Sequence, residues 1–107
     1  MAQYEIVFIV QPELEEEPRN ALVTKVTQTI TDLKGTVQKV DPWGKRRLAY
    51  PIKRFREGFY VLVQMEMPAS AVRPLERAVK LMEDIIRHLI VRRNEVAAAP
   101  QKQETKE

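Results

Sequence analysis

The strand that decides the fold is Gly58-Phe59-Tyr60-Val61-Leu62-Val63-Gln64-Met65-Glu66-Met67. Its odd-numbered positions from Phe59 to Met67 are all apolar, so one face of the strand is continuously apolar. Pro68 follows directly and ends the strand. A strand with one continuous apolar face predicts a sheet that buries this face beneath helices.

Three further segments have strand character. Tyr4–Val10 is β-branched or aromatic at nearly every position, which predicts a central strand with both faces buried. The run from 85 to 93 predicts the last strand. Residues 36–50 are extended in character but are broken at 41–44, which allows either a type I turn in a small separate hairpin or a bulge in one long strand. Residues 51–57 are predicted to form a basic loop.

Two segments repeat apolar residues at helical spacing. The first begins with acidic residues and Pro18 and ends at Gly35, which is expected to supply the C′ position. Ser70 is the expected N-cap of the second. The apolar stripes are Leu22, Val26, Ile30 and Leu33 in the first segment and Leu75, Ala78, Val79 and Met82 in the second.

The resulting order is strand, helix, strand, strand, helix, strand. It predicts an α+β, ferredoxin-like β-α-β-β-α-β sandwich, a four-stranded antiparallel sheet with two helices on one face. Right-handed crossovers then place strands one and three in the middle and strands two and four at the edges. We expect one domain over residues 1–93 and a disordered tail over 94–107, where apolar periodicity stops.

Composition argues against catalysis. The 107-residue chain has no cysteine and a single histidine, so thiolate chemistry and metal sites built from several such ligands are excluded, and we expect no catalytic residue, cofactor or metal. Its three glycines form no phosphate-binding loop. The sequence contains no apolar run of membrane-spanning length and starts without a secretory pattern, and the lack of cysteine suits the cytoplasm.

Positive charge is concentrated in the middle of the chain. Residues 35–57 contain seven Lys or Arg and two Asp or Glu, although the whole chain is only +3. Such a segment indicates an anionic partner, best matched by nucleic acid phosphate, because arginine binds phosphate oxygens in pairs. A basic hairpin that is simply solvated is the alternative. Since neighbouring strand residues face opposite ways, Arg46 and Arg47 cannot both be buried in one core.

The aromatic and apolar residues around these arginines allow two roles. Leu48 is expected to cover the end of the core, whereas Trp43 could equally cover the core or anchor a partner. An RNA-recognition motif, which shares the predicted topology, fits poorly. Its pattern would need a small residue at Tyr60 and an aromatic at Val63, and Phe59 is in phase with the core positions.

The segment Arg46-Arg47-Leu48-Ala49-Tyr50-Pro51-Ile52 resembles a known family, the sixth protein of the bacterial small ribosomal subunit. Tyr4-Glu5 opening the first strand and Glu57–Tyr60 opening the third support the resemblance. So do Met67-Pro68 and Ile86-Arg87. The similarity covers residues 3 to about 93, with the same order of elements.

The resemblance implies a non-enzymatic, cytoplasmic, ribosome-associated protein. Family members bind the central domain of the small-subunit ribosomal RNA together with the eighteenth small-subunit protein, so both are expected partners here. The alternative is a small-molecule-binding or catalytic ferredoxin-like domain, including one that acts as a homodimer. Combining the basic segment with the resemblance, the expected RNA-binding residues are Arg46, Arg47, Lys53, Arg54, Arg56, Arg87, Arg92 and Arg93, and the expected partner-binding residues are Trp43, Arg47 and Tyr50.

Overall fold

The computed structural model describes residues 2–93. Its elements are β1 (Ala2–Val10), α1 (Glu16–Asp32), β2 (Thr36–Ile52), β3 (Phe55–Met67), a 3-10 turn (Ala69–Ala71), α2 (Val72–Lys80) and β4 (Ile85–Arg93). Every strand pair is antiparallel and the strand order is β2-β3-β1-β4. The predicted fold class and the central placement of β1 and β3 are confirmed.

The main core lies between the sheet and the two helices. Alternate residues of the central strands, such as Phe8 and Val63, are fully buried against Ile30 of α1 and Leu75 of α2. The predicted apolar face of β3 lies on this side, from Val61 to Met67. Because both helices cover the same face, no helix of the described residues lies on the opposite face of the sheet; we call it the helix-free face.

β2 is one long strand, so the second of the two interpretations of its break is correct. Its pairing with β3 shifts at three places, between Val37 and Lys39, between Pro42 and Gly44, and between Arg47 and Ile52. The basic loop predicted over residues 51–57 was wrong in extent. Only Lys53-Arg54 separate the strands, since Ile52 pairs with Phe55 in the ladder.

Both helix boundaries differ in detail from the predictions. The left-handed residue after α1 is Lys34, with φ of 74°, and not Gly35. Gly35 is required by packing instead, because a Cβ there would lie 2.8 Å from Cγ2 of Ile30. Ser70 is not the N-cap of α2; it lies within the 3-10 turn, and Ala71 occupies the cap position.

The predicted domain begins at Met1 and the predicted tail covers 94–107. Met1 and the tail lie outside the residues that the structure describes. Within residues 2–93, no helix has the length and apolar character needed to cross a bilayer.

Candidate nucleic-acid and partner interface

The β2–β3 hairpin brings most of the predicted RNA-binding residues together. Its connection is the two-residue turn Lys53-Arg54, and both residues have positive φ, 48° and 69°. Two positive φ values are the signature of a type I′ turn, which usually takes Asn-Gly because side chains disfavour this region. The sequence therefore places a lysine and an arginine at two positions where Asn and Gly would make the turn more stable. Such local strain is typical of positions kept for function.

The arginines of this hairpin are open to solvent. We call Arg46, Arg47, Lys53, Arg54 and Arg56 the hairpin cations, and all of them are exposed. Within residues 2–93 none of them forms an ion pair, although the neighbouring Lys45 lies 3.7 Å from Glu57. Arg46 pairs across the strands with Gly58 and Arg47 with Glu57, which places the two guanidinium groups on opposite faces of the hairpin.

Trp43 belongs to an aromatic stack on this hairpin. It is the extra residue in the bulge between Pro42 and Gly44, where Gly44 adopts φ of 90°. Its ring lies parallel to that of Tyr60, at 6.1 Å between centroids, and its indole N–H donates to Asp41 at 3.3 Å. The guanidinium of Arg46 lies 5.3 Å from the Trp43 ring. Trp43 remains 39% exposed, so it does not close the main core.

Leu48 and Tyr50 reach the helix-free face through the last bulge of β2. In this part of the ladder the residues from 48 to 51 stand opposite Arg56 alone. Leu48 is buried, as expected, but it packs in a second small cluster with Ile9 and Ile86 on the helix-free face. Tyr50 is exposed and its hydroxyl accepts a hydrogen bond from Arg87 of β4, whose guanidinium carbon lies 5.8 Å from the centroid of the Tyr50 ring.

The same bulge forms the wall of an apolar groove of about 290 Å³ on the helix-free face. β1 and β4 supply its floor, and Leu89 beside it is 59% exposed. Sequence reasoning did not identify this groove. The available signal was β1, whose second apolar face must be covered by something. The groove-lining residues used below are Val7, Ile9, Leu48, Tyr50, Ile52, Tyr60 and Leu89.

The three predicted RNA-binding residues of β4 have different surroundings. Arg87 is exposed and holds Tyr50, while Arg92 is exposed on the helix side, opposite Tyr4. Arg93 is held within the molecule: its Nε lies 3.2 Å from Glu5 and it donates to the Gln64 side chain at 3.3 Å. Arg93 therefore has fewer donors available for RNA than Arg92 has.

No group of three or more His, Cys, Asp or Glu in residues 2–93 could hold a metal ion. His88 lies 3.5 Å from Glu76, on the helix side of the edge strand β4. What the structure offers is a basic hairpin, an aromatic stack and an apolar groove, which are features of a binding surface.

Comparison with known proteins gives a consistent result. The profile of the family described as Ribosomal protein S6 matches residues 3–92. The small ribosomal subunit protein bS6 of Moorella thermoacetica is 47% identical over 98 residues, which are 92% of this chain and 100% of that protein. That of Desulforamulus reducens is 43% identical over 95 residues, 89% of this chain and 100% of that protein. The crystal structure of 30S ribosomal protein S6 from Thermotoga maritima superposes with a TM-score of 0.85 at 34% identity, covering 89% of this chain and 90% of that one.

Proposed function

The chain belongs to the ribosomal protein S6 family, and on this premise we propose that it binds the central domain of the small-subunit ribosomal RNA together with the eighteenth small-subunit protein. Members of this family are structural subunits of the small ribosomal subunit and not enzymes. Family membership therefore removes the basis for the alternative of a catalytic or metabolite-binding domain. The chain acts in the cytoplasm as part of the ribosome.

The observation that carries the RNA-binding role is the exposure of Arg46 and Arg47 without an acidic partner in the described part of the chain. A guanidinium group that forms no intramolecular ion pair keeps its N–H donors available for phosphate oxygens. The two arginines lie on opposite faces of a ribbon, so the hairpin can contact backbone phosphates on either side. Contacts of this kind position a protein on a folded RNA by shape more than by base sequence.

The apolar groove supports the protein partnership. Exposed apolar side chains such as Leu89 and Val91 lie on the groove side of β4, at 59% and 41% exposure. Tyr50 lines the groove, and Tyr60 connects it to the exposed ring of Trp43. Aromatic anchors around an apolar depression are typical of protein interfaces. We assign this surface to an apolar segment of the eighteenth protein, and the hairpin cations to RNA.

A gel-shift titration against the central-domain RNA, with the eighteenth protein present, tests the RNA-binding role. The double variant Arg46→Glu/Arg47→Glu should bind at least about ten times more weakly, because it replaces two phosphate ligands with repelling charges. Lys25→Glu/Lys34→Glu changes the net charge equally on exposed α1-side positions and should bind nearly as wild type. Equal affinity of the hairpin variant and wild type would refute the assignment. Sedimentation of the tagged chain with small subunits checks the same role in lysate.

The partner surface is tested separately, by calorimetry with the eighteenth protein and no RNA. Leu89→Asn should weaken binding about tenfold, since it puts an amide on the apolar groove. Leu81→Asn is the matched control, because Leu81 is 78% exposed just after α2 and away from the groove. Equal loss in both variants, or in neither, would contradict the assignment.

A further inference from the structure

A row of cations lies on α2, away from the hairpin. Arg73, Arg77 and Lys80 are spaced by four and three residues, so they share one face of the helix, and all three are exposed. We call these three residues the α2 row. With a rise of 1.5 Å per residue, the row extends about 10 Å along the helix. Together with Glu76 it borders a shallow depression of about 210 Å³.

The acid on this face makes a polar contact outside the row. The carboxylate of Glu76 lies 3.5 Å from Nε2 of His88 on β4. Among residues 2–93, no acidic group lies within ion-pair distance of any member of the α2 row. Three cations therefore lie beside one acid, Glu76, and none of them is within ion-pair distance of it or of any other acid in the described residues.

Helix stability accounts for only part of the row. Arg77 and Lys80 lie in the last turn of α2, where the helix dipole favours positive charge. Arg73 lies in the first turn, where the dipole disfavours positive charge. α1 shows the usual arrangement, with Glu16 and Glu17 in its first turn. Arg73 therefore costs the helix some stability and needs another explanation.

The α2 row lies at the opposite side of the sheet from the hairpin. α2 is joined through Glu76 to His88 of β4, which is one edge of the sheet, whereas β2 is the other edge. Arg92 of β4 lies on the same, helix-covered side. A ligand of the α2 row is thus separated by the width of the sheet from a ligand of Arg46.

We propose that the α2 row is a second contact surface for RNA backbone, so that the chain holds RNA from two opposite edges. This inference rests on the proposed function and adds a second site to it. RNA fits the row better than an acidic protein does. The side chains that border the depression are all charged, and they include none of the apolar or aromatic anchors on which protein interfaces depend. Arginine forks in a row match successive phosphates.

Arg73→Glu provides the sharpest test, because binding and stability should respond in opposite directions. An acid in the first turn favours the helix and can pair with Arg77 four residues on, so the melting temperature should stay the same or rise. Affinity for the central-domain RNA with the eighteenth protein present should fall roughly 3- to 10-fold. Lys25→Glu on α1 makes the same charge change and should alter affinity less than twofold. An unchanged affinity of Arg73→Glu would overturn the inference.

The salt dependence of binding provides a second measurement. Replacing all three cations of the row with Gln should lower the magnitude of the slope of log affinity against log salt concentration by roughly 2 to 3. The reason is that each lost phosphate contact releases about one counterion fewer. An unchanged slope would overturn the inference. So would a loss of affinity for the eighteenth protein alone with no change in the RNA step, which would identify the row as a protein contact.

The two proposals fail in different ways. If wild type does not bind the RNA at all, the proposed function itself is wrong. If wild type binds, Arg46→Glu/Arg47→Glu weakens binding and the α2 variants do not, only the second contact surface is wrong.

Discussion

Arg87 on β4 donates a hydrogen bond to the hydroxyl of Tyr50, which lies 37 residues earlier at the end of β2. The two residues belong to the two edge strands, and β3 and β1 lie between these strands in the sheet. The contact exists because the final bulge of β2 carries Tyr50 over the helix-free face. It fixes one wall of the apolar groove.

Removal of the Tyr50 hydroxyl should therefore affect binding more than folding. Tyr50→Phe loses one exposed hydrogen bond, which costs about 1 kcal/mol of unfolding free energy or less. Freed from Arg87, the ring no longer holds a fixed position beside the groove, and affinity for the eighteenth protein should fall severalfold in calorimetry. Tyr60→Phe is the control, because no hydrogen bond of that hydroxyl is found within residues 2–93. A larger effect from the control would contradict the role of Tyr50.

The hairpin turn should behave as a site where stability is given up for binding. Lys53→Asn/Arg54→Gly installs the preferred type I′ pair and should raise the free energy of unfolding by about 1 to 2 kcal/mol in urea denaturation. The same variant removes two hairpin cations, so RNA affinity should fall and its salt dependence should become shallower. A variant that is stabilised but binds RNA with wild-type salt dependence would show that the turn lies outside the interface.

The two arginines at the end of β4 should differ in their effects on RNA affinity and on the stability of the fold. Arg92 is exposed, so Arg92→Gln should weaken RNA binding with little change in stability. Arg93 is bound to Glu5 and Gln64, so Arg93→Gln should lower stability by about 1 kcal/mol and change RNA binding less. Gel shifts and urea denaturation of the two single variants decide this. The reverse ranking in the gel shift would mean that Arg93, and not Arg92, is the main RNA contact at the end of β4.

Gly58 should tolerate no side chain. A Cβ at this position would lie 2.4 Å from Cγ2 of Ile9 and 3.0 Å from the carbonyl oxygen of Val10. Gly58→Ala should therefore destabilise the protein by about 1 to 3 kcal/mol, the usual cost of overpacking, measured as a lower denaturation midpoint. Since Gly58 pairs with Arg46, the variant should also weaken RNA binding by displacing that arginine. Wild-type stability would show that β1 and β3 can separate locally at no cost.

The parts of the fold that follow from local pattern were predictable. Alternation from Phe59 to Met67 gave the buried face of β3, and helical spacing gave Val26 and Ile30 as buried residues of α1. The end of β2 was not predictable in this way. Residues from 48 to 51 bulge opposite Arg56 because Leu48 packs on Ile9 and Ile86, which are distant in sequence. The connection at Lys53-Arg54 was predicted as a longer loop because it lacks the Asn or Gly that marks a two-residue type I′ turn.

The candidate site also contains features that the sequence predicted and features that it did not. Charge density along the chain was sufficient to predict the exposed hairpin cations. The apolar groove was missed because period-two alternation shows that β1 has two apolar faces, but not which one the helices cover. The α2 row was missed because its cations are spread over eight residues beside Glu76, and only the structure shows that none of them lies within ion-pair distance of an acid in the described residues.

The bulges of β2 also restrict how this protein can change length during evolution. Each bulge fixes which face every later residue of the strand occupies. One residue inserted or deleted between Thr36 and Arg46 would exchange the faces of Arg46 and Arg47 and turn Leu48 away from Ile9. We expect such an insertion or deletion to be tolerated only when a second length change before Arg46 restores the original alternation of side chains between the two faces of β2. Length variation among relatives should therefore occur as paired events within this strand.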